Sequence, residues 1–198
     1  MKIHISLVLV LALPTSSAFA DTDNMPSPPC IMQLDMNDKG EVSNWRTVLD
    51  GVMGGRSTGN RFSQNRHMVF KGNINTNGGG FSSIRRPLAP GSMDGAEALR
   101  LRVRQDGRAY RLTFRTNARF RGRSVSYQIA IPQTRTGEWS EMTLPLTDFR
   151  TSIFGYEVTA ASFDAAQVQE IGIILADGID GPFQIEIAEI SCVQSKAT

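Results

Sequence analysis

The stretch "ALRLRVRQDGRAYRLTFRT", Ala98 to Thr116, decides the fold class. Leu99, Leu101 and Val103 alternate with Arg100, Arg102 and Arg104, and Tyr110, Leu112 and Phe114 alternate with Arg111, Thr113 and Arg115. A period of two sends one set to a buried face and the other toward solvent, which is the pattern of a half-buried strand. Between the runs stands Asp106-Gly107, a tight-hairpin signal because both turn residues must accept positive φ. The expectation is a hairpin of two paired strands with their arginines on the same face.

Outward from this centre the pattern repeats in "HMVFKG", "GFSSIR", "SVSYQIAI", "WSEMTLPL", "IGIILA" and "FQIEIAEI", separated by Gly, Pro, Asn and Asp clusters. Val125, Tyr127, Ile129 and Ile131 alternate with Ser and Gln, and Phe183, Ile185 and Ile187 with Gln184 and Glu186. Short helices are expected only in "TDFRTSIFG" and "TAASFDAAQVQE". Many short strands with regular turn signals predict an all-β sandwich of roughly eight to ten strands.

The ends read differently. Lys2, the apolar run "ISLVLVLAL" and Ala18-Phe19-Ala20 form a cleavable export signal over residues 1–20. Its apolar run is shorter than the roughly 20 residues a membrane span needs, so no transmembrane segment is expected after cleavage. Residues 21–29, with Pro26, Pro28 and Pro29, read as a flexible leader, 30–193 as one β-sandwich domain and 194–198 as a tail. Export implies a periplasmic or secreted protein in an oxidising space, where Cys30 and Cys192 are expected to form a disulfide. The 21 basic and 19 acidic residues nearly cancel, so overall charge names no partner and nucleic acid is not expected.

Most catalytic chemistries fail on residue inventory. "DGVMGGRS", Asp50 to Ser57, and "NGGGF", Asn77 to Phe81, lack the spacings of phosphate-binding loops, and no helix pattern follows them. His67 is the one histidine beyond the export signal, and it sits in a strand pattern facing solvent or a neighbour. Several His or Cys ligands for zinc are absent. A glycoside hydrolase would need two convergent carboxylates among Glu97, Glu138, Glu141, Asp148, Glu170, Glu186 and Glu189, with no pair singled out. No cofactor is expected; a structural calcium at "ADGIDGP", Ala176 to Pro182, competes with the simpler reading of two Asp-Gly turns.

Charge distribution says more. From Arg100 to Arg123 there are nine arginines and one acid, Asp106. Either Glu186 and Glu189 compensate them from a neighbouring strand, or Arg100, Arg102, Arg104, Arg111 and Arg115 form a face for acidic glycans, lipid headgroups or a protein partner.

In order along the chain, "NWRTVLDGVMGGRSTG", "FKGNINTNGGGFSSIR", "LRVRQDGRAYRLTFRT", "YQIAI", "EWSEMTLPLTDF" and "IGIILADGIDGPFQIEIAEI" resemble the complex I intermediate-associated protein family over nearly all of Leu34 to Ile190. The resemblance implies a galactose-binding-domain-like jelly roll and a chaperone-like assembly factor without catalytic residues. Its signature maps onto Trp45, Asp50, Gly51, Val52, Met53, Gly54, Gly55 and Ser57, onto Gly78, Gly79, Gly80 and Phe81, and onto Asp106, Gly107 and Tyr110. Gly181, Pro182 and Phe183 match its last turn. These positions are read as mainly structural: a strand ending near Val48, glycines at positive φ, Met53 packed inward and Asp50 capping the turn's own amides. The family's best-known member works in the mitochondrial matrix, whereas this chain carries an export signal. The functional expectation is therefore a non-catalytic exported binding or assembly module for a protein in the cell envelope, with acidic-glycan binding as the alternative and peripheral membrane contact within its reach.

Overall fold

The computed structural model describes residues 30–153, 156–157 and 162–194. The expected export signal and leader, residues 154–155 of the first expected helix, 159–161 of the second and 195–198 of the tail lie outside them. Two antiparallel sheets face each other. The six-stranded sheet joins β3 (Thr58–Gln64), β4 (His67–Ile74), β13 (Gly181–Val193), β6 (Ala98–Gln105) and β9 (Trp139–Pro145) in that order, with β1 (Gln33–Asp35) paired to β13. The seven-stranded sheet orders β11 (Tyr156–Glu157), β10 (Arg150–Ile153), β8 (Arg123–Ala130), β7 (Tyr110–Phe120), β12 (Val168–Leu175), β5 (Ser82–Pro87) and β2 (Arg46–Leu49). This is the expected jelly-roll sandwich, with more strands than alternation alone revealed because β1, β2, β10 and β11 are only two to four residues long.

The helix forecast was misplaced. Among the described residues the one α-helix, α1 (Lys39–Ser43), starts where Asp38 accepts a hydrogen bond from Gly40 N–H, and it buries Val42. Where the segments expected to be helical are described, they hold single 3-10 turns at Leu146–Asp148 and Ala165–Gln167.

The expected hairpin does not form. β6 lies between β13 and β9, and β7 between β8 and β12, so Asp106-Gly107 carries the chain from one sheet to the other. Asp106 anchors this corner by accepting from Arg108 N–H, from Gln184 N–H at 2.6 Å and from the Tyr110 hydroxyl. Gly107 supplies the required positive φ of 88°. Leu99, Leu101 and Val103 therefore meet Leu112 and Phe114 in one core, with Trp45, Phe70 and Tyr127 also fully buried there. Arg100 and Arg102 consequently sit on one outer surface, and Arg111 and Arg115 on the opposite one.

Cys30 and Cys192 are joined across 162 residues of sequence, as expected. The bond ties the start of the domain to β13, beside the β1–β13 pairing of Leu34 with Ile190.

Candidate binding face

Two sites could matter, the glycine-rich signature loop and the outer sheet surfaces. In the loop, Asp50 is the hub. Its carboxylate is fully buried and accepts from Ser57 N–H at 3.0 Å, Ser57 Oγ–H at 2.6 Å, Gly80 N–H at 2.6 Å and Phe81 N–H at 3.2 Å. Burial alone would raise its pKa, but these hydrogen bonds, Ser57 Oγ first, outweigh burial and hold it below the usual carboxylate value. A Cβ on Gly55 or Gly79 would lie 2.3 Å from an Asp50 side-chain atom, so those glycines exist to admit the carboxylate. Ser57 Oγ also accepts from Asn75 N–H, and Asp180 accepts from Thr76 N–H, so three loops are laced together.

Met53 does not pack inward. The 3-10 turn Asp50–Met53 turns Asp50 into the core and leaves Val52 and Met53 80% and 63% exposed, because Asp50 takes the interior space. Gly51 stands at an open position, and Gly54 closes the turn at φ 88°. Trp45 is core, its indole N–H donating to Glu41. Among the signature residues, Trp45, Asp50, Gly55, Ser57 and Gly79 are thus engaged in packing and hydrogen bonding within the protein.

Arg108 is structural as well. It grips Asp177 with two hydrogen bonds of 2.7 Å and donates to the carbonyls of Ile179 and Pro182, fixing the last loop. Its guanidinium holds the Asp177 carboxyl below the usual range. Asp177 and Asp180 are thus both hydrogen-bonded within "ADGIDGP" and its neighbours, and among the described residues there is no group of three His, Cys, Asp or Glu side chains placed to hold a metal. A depressed carboxyl binds fewer protons folded than unfolded, so the stability Asp50 and Asp177 contribute is present above about pH 4 and lost as pH falls through their folded values. Equilibrium unfolding from pH 6 to pH 2 is expected to show that loss, with a shallower slope in Asp50→Asn and Asp177→Asn.

The outer face of the six-stranded sheet is different. Cross-strand register aligns Phe62, Val69, Glu186, Arg104 and Trp139 in one row from β3 to β9. Nothing described covers this face, yet His67 and Glu186 are only 6% exposed. The side chains bury one another instead. Arg104 pairs with Glu186, whose other oxygen accepts from Gln184 Nε2 at 2.9 Å. His67 Nε2 lies 2.6 Å from Glu186 Oε2, a close contact without hydrogen-bond alignment. The His67 ring also meets Trp139 edge-on at 5.3 Å, although β13 and β6 separate their strands. Arg102 and Arg104 stand over the indole at 5.2 and 5.1 Å. A bulge between Ile187 and Glu189 brings Glu189 to the same side as Glu186.

Two hollows flank the row. One, about 290 Å³, is lined by Arg100, Arg102, Glu141 and Glu189. The other, about 670 Å³, runs over Asn60, Phe62, Lys71 and Gln184 to Asp106 and Pro182. Of the two acids expected to compensate the arginines, Glu186 pairs with Arg104, whereas the ion pair of Arg102, at 3.7 Å, is with Glu141 of β9 and not with Glu189. Arg111, on the other sheet, donates to the Ala176 carbonyl. The five arginines therefore do not form one site. Alternation places His67 in a strand facing solvent or a neighbour and gives Trp139 no role; no local signal shows that strands β4 and β9 bring their side chains together.

The sequence pattern of the complex I intermediate-associated protein 30 (CIA30) family matches residues 34–187. The chain belongs to that family. No curated protein matches it. Among solved structures, this CIA30-family chain is similar to the family 11 carbohydrate-binding module of the cellulosomal cellulase Lic26A-Cel5E of Clostridium thermocellum, at 14% identity over 78% of this chain and 91% of that one, with a TM-score of 0.57. The family 11 module from Clostridium thermocellum in complex with a beta-1,3-1,4-mixed-linked tetrasaccharide is similar at 16% identity over 80% and 95%, with a TM-score of 0.58. At such identities the likeness establishes the β-sandwich fold.

Proposed function

We propose that this CIA30-family chain is a non-catalytic, exported assembly-type module that engages a protein partner in the cell envelope through the outer face of its six-stranded sheet. The row Phe62, Val69, Glu186, Arg104 and Trp139 carries the reading. Tryptophan and arginine dominate interface hot spots. Here Glu186 and His67 hold them in place beforehand, which cuts the entropy lost on docking. The Arg102–Glu141 pair at the margin is exposed, in keeping with a polar rim around a packed centre. With two guanidinium groups already over its ring, Trp139 is better suited to anchor a protein contact than to stack bare against a sugar.

The test is cross-linking and pull-down from envelope fractions with the wild-type chain and with Trp139→Ala. Loss of a hot spot of about 2 kcal/mol weakens binding about thirtyfold, so a partner captured by the wild type should disappear from the variant. A captured partner indifferent to Trp139→Ala, with the variant's thermal melt unchanged, overturns the assignment of the face.

The hollow beside Phe62 favours glycan binding as a second reading. Its volume of about 670 Å³ lies within the usual range for ligand clefts, and amide and ammonium donors of Asn60, Gln184 and Lys71 border an aromatic ring there. Retention on an acidic-glycan array that vanishes with Phe62→Ala and Lys71→Glu would support it; no retention by the wild type would end it.

A further inference from the structure

The outer face of the seven-stranded sheet carries a charge imbalance that the other face lacks. Glu170 on β12 is its central acid, and three arginines from three strands surround it. Arg46 of β2 bonds Glu170 Oε2 at 2.5 Å, while Arg85 Nη1 of β5 and Arg115 Nε of β7 both stand 3.7 Å from Oε1. The last two distances exceed a hydrogen bond, so one carboxylate oxygen is shared at arm's length by two guanidinium groups. Among the described residues the guanidinium of neither Arg85 nor Arg115 makes a closer side-chain contact than this. Arg46 and Arg85 also sit directly opposite each other in the β2–β5 register, an arrangement in which like charges repel.

Arg85 is the sharpest case. Its side chain is only 17% exposed. Gly172 allows this placement, since a Cβ there would come 3.2 Å from Arg85 Cγ and 2.7 Å from Thr113 Oγ1. Burial, and then the Arg115 guanidinium, lowers the proton affinity of Arg85, as expected for a cation crowded by cations. Three cations against one anion leave two positive charges on a small area. On the opposite sheet face, by contrast, Arg102 and Arg104 each have their own carboxylate.

We propose that Arg46, Arg85 and Arg115 around Glu170 form an oxyanion site that takes a phosphate group, presented either as free inorganic phosphate or on the headgroup of an anionic lipid. The planar guanidinium fork matches two phosphate oxygens at once, and a phosphate supplies the missing negative charge. Glu170 spaces the guanidinium groups and competes with the incoming anion. The site lies on the other sheet from the proposed partner face and stands independently of it.

The experiment titrates inorganic phosphate into the full chain and follows the arginine Nε–Hε resonances. The expected result is saturable binding that weakens at least about tenfold in Arg115→Gln and Arg85→Gln and tightens about tenfold in Glu170→Gln, each step corresponding to about 1.4 kcal/mol. Arg115→Gln and Glu170→Gln decide the matter if Arg85→Gln fails to fold. In a second arm, flotation with phosphatidylglycerol vesicles is compared with phosphatidylcholine vesicles. Retention on the former alone, abolished by Arg115→Gln, assigns the phosphate to a lipid headgroup; saturation by inorganic phosphate without retention assigns it to a soluble ligand. Absence of both, or binding that all three substitutions leave unchanged, overturns the proposal.

Discussion

Asp50→Ala is expected to cost about 4 kcal/mol of unfolding free energy and to lower Tm by roughly 8–16 °C for a domain of this size. The substitution removes a fully buried acceptor from Ser57 N–H, Ser57 Oγ–H, Gly80 N–H and Phe81 N–H. Each donor left unpaired away from water costs about 1–3 kcal/mol, and partial relaxation keeps the sum below the simple total. Gly79→Ala attacks the same interaction from the other side, because its Cβ would fall 2.3 Å from Asp50 Oδ2. Overpacking of this kind costs about 1–3 kcal/mol. The two changes should therefore be strongly non-additive, with Gly79→Ala costing much less once Asp50 is alanine. Urea unfolding of the wild type, both single variants and the double variant closes the cycle. A loss below about 1 kcal/mol for Asp50→Ala, or plain additivity, would remove Asp50 as the organiser of the signature loops.

Cutting the Cys30–Cys192 bond is expected to have a comparable effect through the opposite state. The bond closes a loop spanning 162 residues, and loop entropy sets its upper contribution near 5 kcal/mol. Because β1 and β13 pair beside it without covalent help, the native sheet should survive in the Cys30→Ser, Cys192→Ser double variant. The unfolded chain, freed of the loop, expands and exposes more surface. Guanidinium unfolding should then show a lower midpoint together with a larger m-value, and the reduced wild type should match the double variant. An unchanged midpoint on reduction would mean that the sandwich alone carries the stability.

Alternation was a faithful guide to which side chains enter the core. Leu99, Leu101, Val103, Leu112 and Phe114 are buried, and Arg100, Arg102 and Arg115 lie on the outside. It was silent on whether the apolar sides of β6 and β7 lie side by side or face to face. Both arrangements bury the same residues, and an Asp-Gly turn serves both. What settles the question is pairing with β13, β9, β12 and β8, segments far away in the chain. The split arginine face follows from that one geometric choice, as do the compensation of Arg104 by Glu186 and the uncompensated group around Glu170.

The signature glycines show the same division at smaller scale. For "DGVMGG" and "NGGGF" the spacing excludes a phosphate loop, and the structural reading comes from the family resemblance and turn chemistry. That Gly55 and Gly79 make room for one buried carboxylate requires the two loops to meet, 30 residues apart in sequence, at Asp50. Met53 was misread for the same reason: an apolar residue inside a turn suggests burial until a better hydrogen-bonded group already fills the interior.

Fold class, strand faces, the disulfide and family membership were written in residue order, since each depends on short-range periodicity or on a colinear set of motifs. The candidate face, the meeting of Trp139 with His67, and the cation cluster of Arg46, Arg85 and Arg115 arise only on folding. Strand order and register place these side chains together, and strand order is set by burial summed over both sheets, which no local window of sequence contains.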